Sequence, residues 1–468
     1  MQPNTLDILR DATRGTEYEN RLFLVGGYVR DKVMGLPSNS DASQADAPSQ
    51  RVDDIDIVIE GDALALAQFL HKAKASSIYP VVYPRFGTAM IMVGGRDVEL
   101  VTARVESYAP DSRKPDVVKP GTLAEDAMRR DFTINTLLEN LHTGDIEDPL
   151  GRGRDDIAAG IIRTPTEPKL TFIDDPLRML RAVRFAARFG FTIDPATWTG
   201  IIESAERLAI VSRERIREEF CKMLMTTRAP MGMEVLRESG LLAQFAPELL
   251  AMVGVTQNVF HAYPVWEHTM VAVGQLPQDA SLQLRLAMLL HDIGKPSTKT
   301  DDDGSVHFYH HQDVGAEMTR ALMVRLKFAN DDIDAVVRLV KNHMRIGEYK
   351  PAWSDAAVRR LIRDLGDQLD DLFAIHRADV LALSTEHQGM DRAVDLRARI
   401  DAIQSHQDIN ALKSPLDGVD IMRILGIGPS KLVREAKDLL TCEVVEGRLA
   451  EDDIDKATAM IKERFGGE

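Results

Sequence analysis

Asp54 and Asp56 lie two apart in the run VDDIDIVIEG, residues 52–61. In a strand, residues at that spacing project from the same face. Two carboxylates held together repel unless a cation lies between them. Mg²⁺ prefers hard oxygen ligands together with triphosphate oxygens, the arrangement of two-metal nucleotidyl transfer. Taken singly, such a D-x-D is more often the polar side of a half-exposed strand. Upstream, Gly26-Gly27 follows the apolar run RLFLV. Bare backbone N–H groups there can approach a triphosphate, with Arg30 nearby to balance charge. Farther along, Asp175 and Arg178 are three apart. A carboxylate can accept from the exocyclic amine of cytosine or adenine, and a guanidinium can donate to a ring nitrogen or carbonyl; a local salt bridge is the plainer explanation. Arg181, Arg184 and Arg188 continue the same flank, as a phosphate track for RNA or, for Arg188, a solvated helix face. A third group spreads over a hundred residues: His268, His291-Asp292, His311, His343 and Asp379. Imidazole and carboxylate together suit Mn²⁺, Fe²⁺, Ni²⁺ or Mg²⁺, with a bridging water made acidic enough to attack phosphate.

The elements that must hold these groups change character along the chain. Up to about residue 150, strand and helix signals alternate. Ile55, Ile57 and Ile59 face one way and Asp54, Asp56 and Glu60 the other. TAMIMVGGRDVELVTAR reads as a hairpin turning at Gly94-Gly95. The stretch between Gly35 and Arg51, rich in Ser, Asp, Ala and Pro, reads as a mobile loop. Thr122 and Glu125 form a capping-box signature, predicting a helix that carries AMRRDFTINTLLEN. Beyond DPLGRGRDD helical patterns dominate, and a helix is predicted to start at Asp174, where Pro176 suits a first turn.

Bulk composition narrows the class. The 468 residues exceed one hydrophobic core, and 44% hydrophobic with 28% charged residues is an ordinary globular balance. A net charge of −16 argues against a chain coated in nucleic acid but leaves room for local basic stripes. Cys221 and Cys442 alone make neither a disulfide framework nor a thiolate metal site. With no signal-length or membrane-length apolar run, a cytoplasmic protein with no membrane partner is expected.

The order Gly-Gly-x-Val-Arg-Asp (26–31), Asp54-Ile55-Asp56, Arg129-Arg130-Asp131-Phe132-Thr133-Ile134-Asn135 closely resembles the signature of the class II CCA-adding and poly(A) polymerase family. Arg104, Glu106, Tyr108, Asp148-Pro149 and Gly151 fill the gaps. The resemblance implies an α+β chain. Its DNA-polymerase-beta-like nucleotidyltransferase head (1–150) precedes an all-helical neck (151–248), an HD domain (249–405) and a helical tail (406–468). It implies Mg²⁺ on the catalytic Asp54 and Asp56. Gly26, Gly27, Arg30, Arg130, Asp131, Asn135, Arg181 and Arg184 are placed at the nucleotide, with Arg130 and Asp131 at its ribose. Glu99 is a candidate third carboxylate. In the family motif Glu-Asp-x-x-Arg, Asp and Arg act as a protein template for CTP and ATP; here Asp174 replaces the Glu, while Asp175 and Arg178 are kept. The helix SRERIREEFCKML matches the next motif, with Arg213, Glu218 and Lys222 as candidate supports.

The windows WEHT, LLHDIGKP, HFYHHQDVGAE, KNHM and HRADV resemble the HD phosphohydrolase superfamily, whose order H…HD…H…H…D is complete. By that resemblance His268, His291, Asp292 and Asp379 hold one ion, such as Mn²⁺ or Ni²⁺. His311 and His343 complete a second site and Lys295 meets substrate phosphate; His310 competes with His311 for the third position. The tail turn Gly426–Pro429 before Lys431 is a candidate tRNA contact or an ordinary interhelical turn. The expected activity is CMP and AMP addition to RNA 3′ ends, CCA addition to tRNA first and A-only addition or poly(A) tailing second. An HD phosphodiesterase or RNA-binding protein with an inactive head is the reading from a different class. The acidic C-terminal segment lacks the basic extension common in poly(A) polymerases of this family.

Overall fold

The computed structural model describes residues 4–36, 55–76, 78–108, 115–257, 261–302, 305–383, 390–406 and 412–466. Asp54 and the Ser/Asp-rich loop 37–50 therefore lie outside the described residues, as do the side chains of Glu106 and Tyr108. The chain divides into two compact units, Met1–Pro247 and Glu248–Glu468.

The first unit opens with α1 (Thr5–Thr13), whose Asn4 side chain accepts from the Leu6 N–H, a satisfied helix N-terminus. Then come β1 (Leu22–Val25), α2 (Gly27–Val33), β2 (Ile55–Ile59) and α3 (Ala63–Lys72), the last capped by Asp62. β3 (Val81–Tyr83), β4 (Thr88–Val93) and β5 (Arg96–Thr102) follow. Gly94 and Gly95 both have positive φ, as a tight β4–β5 hairpin turn requires. β6 (Arg104–Tyr108) pairs with β7 (Pro115–Pro120) apart from the main sheet. Next are α4 (Leu123–Met128), β8 (Leu138–Asn140) and β9 (Ile146–Glu147). The main sheet runs β3-β4-β5-β2-β1-β8-β9; β2 and β5 are parallel and their other neighbours antiparallel. One face buries Ile55, Ile57, Ile59, Val98 and Leu100 against Leu6 and Leu9 of α1 and Leu66 and Leu70 of α3. The other carries a small cluster of Phe23, Val25, Val58, Ala103 and Leu138, and Asp56 beside it.

The capping box at Thr122 and Glu125 forms, but α4 is shorter than predicted. The chain leaves it at Arg129, makes one 3-10 turn at Thr133–Asn135 and enters β8. Leu138 is the register partner of Val25, so the sheet captures a segment whose apolar residues suit a helix equally well.

Residues 151–248 comprise α5 (Gly153–Ala159), β10 (Ile161–Ile162), α6 (Pro168–Asp174), α7 (Leu177–Phe189), β11 (Thr192–Ile193), α8 (Pro195–Ser204), α9 (Arg213–Leu224) and α10 (Ala229–Glu238); the parallel pairing of β10 with β11 corrects the expectation that this segment is all-helical. The predicted helix start at Asp174 is corrected: Asp174 ends α6 and Asp175 is extended, at φ −145° and ψ 103°. Pro176 then supplies the preset φ that opens α7.

After the short α11 (Pro247–Leu250), the second unit contains α12 (Val265–Gly274), α13 (Leu282–Leu290), α14 (Lys295–Thr298), a hairpin of β12 (Lys299–Asp302) and β13 (Ser305–Phe308), α15 (His311–Arg325), α16 (Asn330–Asn342), α17 (Asp355–Leu365) and α18 (Leu369–Leu381). α13 packs against α12, α16 and α18, and Leu286–Leu290 are all buried. α19 (Met390–His406) and the tail helices α20 (Gly418–Leu425), α21 (Lys431–Val445) and α22 (Ile454–Phe465) belong to the same unit. There α19 and α21 pack on α17. No described helix is long and apolar enough to cross a membrane.

Candidate active site and metal centre

The sheet carries Asp56 on β2 opposite Glu99 on β5, so the two carboxylates rise side by side from one face. Gly26, at the end of β1, has φ +74°. A Cβ there would lie 3.5 Å from Asp56 Oδ2, so a side chain would fill space beside the carboxylate. This cradle of hard oxygens beside bare backbone fits Mg²⁺ with a triphosphate.

Around it runs a buried chain of charges. Arg30 donates from Nε to Asp31 Oδ1 and from Nη1 to Asn135 Oδ1, both at 2.7 Å. Its guanidinium also stacks over Phe185 and Phe189 of α7 at 5.1 and 4.8 Å. Asn135 Nδ2 and the Phe132 N–H both donate to Asp131 Oδ1, at 2.9 and 2.8 Å. Arg181 donates to Asp131 Oδ2 through Nε at 2.8 Å, with Nη2 at 2.7 Å. Burial alone would raise the Asp131 carboxyl; Arg181 and Asn135 outweigh it and hold it far below the usual carboxylate range. Arg184 donates to Glu219 Oε2 at 2.6 Å, and Arg188 reaches Asp31 Oδ2 at 3.1 Å. Arg130 and Arg129 both grip buried Asp126.

Arg181, Arg184 and Arg188 each pair with a carboxylate, Asp131, Glu219 and Asp31, and of the three Arg188 is exposed, as a solvated helix face would be. One sequence expectation is revised by these contacts. Asp175 and Arg178 share no helix face and make no salt bridge with each other. Asp175 Oδ1 accepts from the Leu177 N–H at 3.1 Å, and its Oδ2 pairs with Arg215 of α9 at 2.6 Å. Arg178 reaches back to the carbonyl of Arg129 at 2.7 Å, linking α7 to the turn that bears Arg130 and Asp131.

Arg215 and Glu219 were missed, since Arg213 and Glu218 were named instead. Helical periodicity carries the signal. Ile216, Phe220 and Met223 are the buried stripe of α9, and Glu219 falls within it while Glu218 points to solvent. Arg104 donates to the Phe86 carbonyl and to Thr88 Oγ1, and Asp148 Oδ2 accepts from the Arg154 N–H at 3.1 Å. Lys222 is exposed.

In the second unit all six predicted metal ligands converge. His268, His291 and Asp292 present ligand atoms within 4.8 Å of one another, as do Asp292, His311 and His343. Asp379 Oδ1 lies 2.8 Å from His268 Nε2 and 3.7 Å from His291 Nε2. His291, His311 and His343 each place Nδ1 within 2.9 Å of the carbonyl three residues earlier. Nδ1 must carry a proton there, so Nε2 is the atom aimed inward; at His311 and His343 burial favours the neutral ring with an Nε2 lone pair, whereas Asp292 and Asp379 overcome burial and raise His291 to about 10. His311 Nε2 and His343 Nε2 face one another at 3.2 Å. Burial, with nearby His291, pushes His343 down to about 3, so it stays neutral and ligand-ready. Buried His291 Nε2 and Asp292 Oδ2 lack hydrogen-bond geometry although 3.2 Å apart. This donor set fits divalent metal. Of the two adjacent histidines, His311 is buried in the cluster, while His310 is 81% exposed. Lys295 lies 2.7 Å from Asp292 and donates to Gln257 Oε1. In the tail, Lys431 pairs with Glu435 at 3.2 Å.

Comparison with known proteins agrees with this geometry. Residues 22–163 match the poly A polymerase head domain, 190–252 a probable RNA and SrmB-binding site of polymerase A, and 259–399 the HD domain. A CC-adding tRNA nucleotidyltransferase of Thermus thermophilus is 31% identical over 91% of this chain and 90% of its own. An A-adding tRNA nucleotidyltransferase of Deinococcus radiodurans is 35% identical over 68% of this chain and 74% of its own. The Bacillus stearothermophilus CCA-adding enzyme in complex with CTP superposes with a TM-score of 0.65 at 23% identity, covering 99% and 98% of the two chains. That likeness establishes the shared fold, with its DNA-polymerase-beta-like head and helical body. The chain therefore belongs to the class II CCA-adding and poly(A) polymerase family of nucleotidyltransferases, with an HD domain behind the head.

Proposed function

We propose that this chain adds CMP and AMP to tRNA 3′ ends, completing CCA, with CTP and ATP as substrates. The observation that carries the reading is the Asp56 carboxylate lying beside Glu99 and against the side-chain-free backbone of Gly26. Asp54 and Asp56, with Glu99, would hold Mg²⁺, which when bound stabilises charge on the attacking and leaving oxygens. Gly26 and Gly27 let the triphosphate lie against the backbone, and Arg130, Asp131 and Asn135 set the wall for its ribose. The RNA 3′-hydroxyl oxygen attacks the α-phosphorus in line. A new O–P bond forms, the bond from the α-phosphorus to the bridging oxygen breaks, pyrophosphate departs and the hydroxyl proton passes to solvent. Asp175 and Arg178 read the base edge, and Arg215 aims Asp175. Arg30, Arg181 and Arg184 position the reading helix against the head. The four segments 1–150, 151–248, 249–405 and 406–468 are proposed as head, neck, HD domain and tail, the tail turn near Lys431 being a candidate tRNA contact.

The names of the two relatives favour a specific second reading, in which the chain adds only CC or only the final A. Incubation with tRNAs ending before CCA, before CA and before A, each with one labelled NTP, decides between them. No incorporation from any NTP into any of these tRNAs would overturn the proposal. The HD centre supports a separate phosphoesterase, with Mn²⁺ or Ni²⁺ on Asp292 and the surrounding imidazoles and Lys295 at the substrate phosphate.

A further inference from the structure

The carboxylates occupy one position in a longer row. Strand register aligns Asp56 with Glu99, Glu99 with Met90, and Met90 with Val81. The row therefore runs from acidic groups at the middle of the sheet to apolar ones at its edge. Met90 is 38% exposed, Val81 53%, and Tyr83, two residues along from Val81 on the same strand face, 48%. Edge strands are usually guarded by charge; β3 (VVY) has none. An exposed apolar strip that continues a catalytic face marks a binding surface.

We propose that this strip, Met90, Val81 and Tyr83, is the bed for the unpaired 3′-terminal nucleotides of the RNA acceptor. The proposal rests on the nucleotidyl-transfer reading above. Gly26 and the cradle for the triphosphate lie on the β1 side of Asp56, and the strip lies on the opposite, β5 side. In-line attack needs nucleophile and leaving group on opposite sides of the phosphorus, so the acceptor strand must enter from the strip's side. The distances agree. At about 4.8 Å between strands, Met90 and Val81 lie roughly 10 and 14 Å from Asp56. That is the length of about three or four stacked nucleotides at roughly 3.4 Å each. Bases stack on aromatic and apolar surface regardless of identity, which suits a strand whose terminal bases change with every addition. Phosphates would be repelled by Asp56 and Glu99 and must turn outward. Exposed Arg85, just past Tyr83, is placed to meet them.

The test uses the full chain and a tRNA carrying 4-thiouridine at its penultimate nucleotide. Ultraviolet crosslinking followed by peptide mapping should place the adduct within residues 81–90. Tyr83→Ala should raise KM for tRNA about ten- to a hundredfold while leaving KM for CTP within about twofold. Val81→Asp should do the same by setting a charge under the bases, and Tyr83→Trp should keep tRNA binding near that of the unaltered chain. Crosslinks only outside 81–90, or unchanged KM for tRNA in Tyr83→Ala and Val81→Asp variants of undiminished Tm, would overturn the proposal. So would a dimer of the unaltered chain that Tyr83→Ala dissociates without changing KM for tRNA, since the strip would then belong to a second copy. If the unaltered chain adds no nucleotide, the functional reading fails by itself; the crosslink, which needs no turnover, still decides where the RNA lies.

Discussion

The ionic chain in the first unit and the histidine cluster in the second solve the burial of charge in opposite ways. In the first, Arg30, Asp31, Asp131, Arg181, Arg184 and Glu219 neutralise one another pairwise, at distances of 2.6–2.8 Å. The Phe185 ring covers Arg30, Arg181 and Arg184. In the second, lone pairs point at lone pairs: His311 Nε2 faces His343 Nε2 at 3.2 Å, with Asp292 Oδ1 3.6 Å from the former. Burying donor lone pairs together is unfavourable without a cation between them. A self-satisfied network is scaffold that orients helices, whereas a convergent set of imidazole and carboxylate donor atoms suits a divalent cation.

The largest effects should come from removing ligands. Asp56→Ala should lower kcat for nucleotide addition by about a thousandfold or more, with little change in Tm or tRNA affinity; single-turnover incorporation measures it, and near-normal turnover would remove Asp56 from the chemistry. In the HD centre Asp292 belongs to both ligand groups, so Asp292→Ala should empty both. Elemental analysis should find the transition metal of the unaltered protein gone, and any phosphoesterase activity with it, while nucleotide addition persists. Metal content equal to that of the unaltered protein would sink this assignment.

Breaking the scaffold should act on stability instead. Glu219→Gln leaves Arg184 without its charged partner, while Arg181 keeps Asp131, and should cost about 3 kcal/mol in urea unfolding of the first unit; Glu218→Gln, one residue away and exposed, should cost under about 0.5 kcal/mol. Equal costs for the two would mean that the network is not a scaffold. Asp175→Ala should reduce the preference for CTP and ATP over UTP and GTP by about ten- to a hundredfold, measured as kcat/KM for all four nucleotides. An unaltered profile would leave Asp175 as a partner of Arg215 alone. The smallest effect concerns pH. Because the folded state depresses the Asp131 carboxyl, its contribution is fully present above the unfolded value of about 3.9 and is lost as pH falls through the folded value. Asp131→Asn should therefore flatten the acid limb of the stability profile; an unchanged limb would assign acid sensitivity to other carboxylates.

Much of this was legible in residue order. The alternation at Ile55–Ile59, the glycine pair at 94–95 and the capping box at Thr122 are local patterns with local causes, and each formed. The six clustered side chains of the second unit were nameable because each stands in a short distinctive window, and burial then distinguished His311 from His310. Other features depended on partners far away in the chain. RRDFTINTLLEN left the helical course because β1, a hundred residues earlier, offered Leu138 a register partner. Asp175 turned from Arg178 to Arg215, 40 residues on, since the break between α6 and α7 took it off the helix face that spacing had assumed. The arginines of α7 became ion-pair partners once Asp31, Asp131 and Glu219 met them. Sequence by itself thus determined which chemistry the chain carries, because type and short spacing suffice to recognise ligand sets. Tertiary structure alone decided which charges are satisfied and which remain for a ligand, because that depends on partners brought together only by folding.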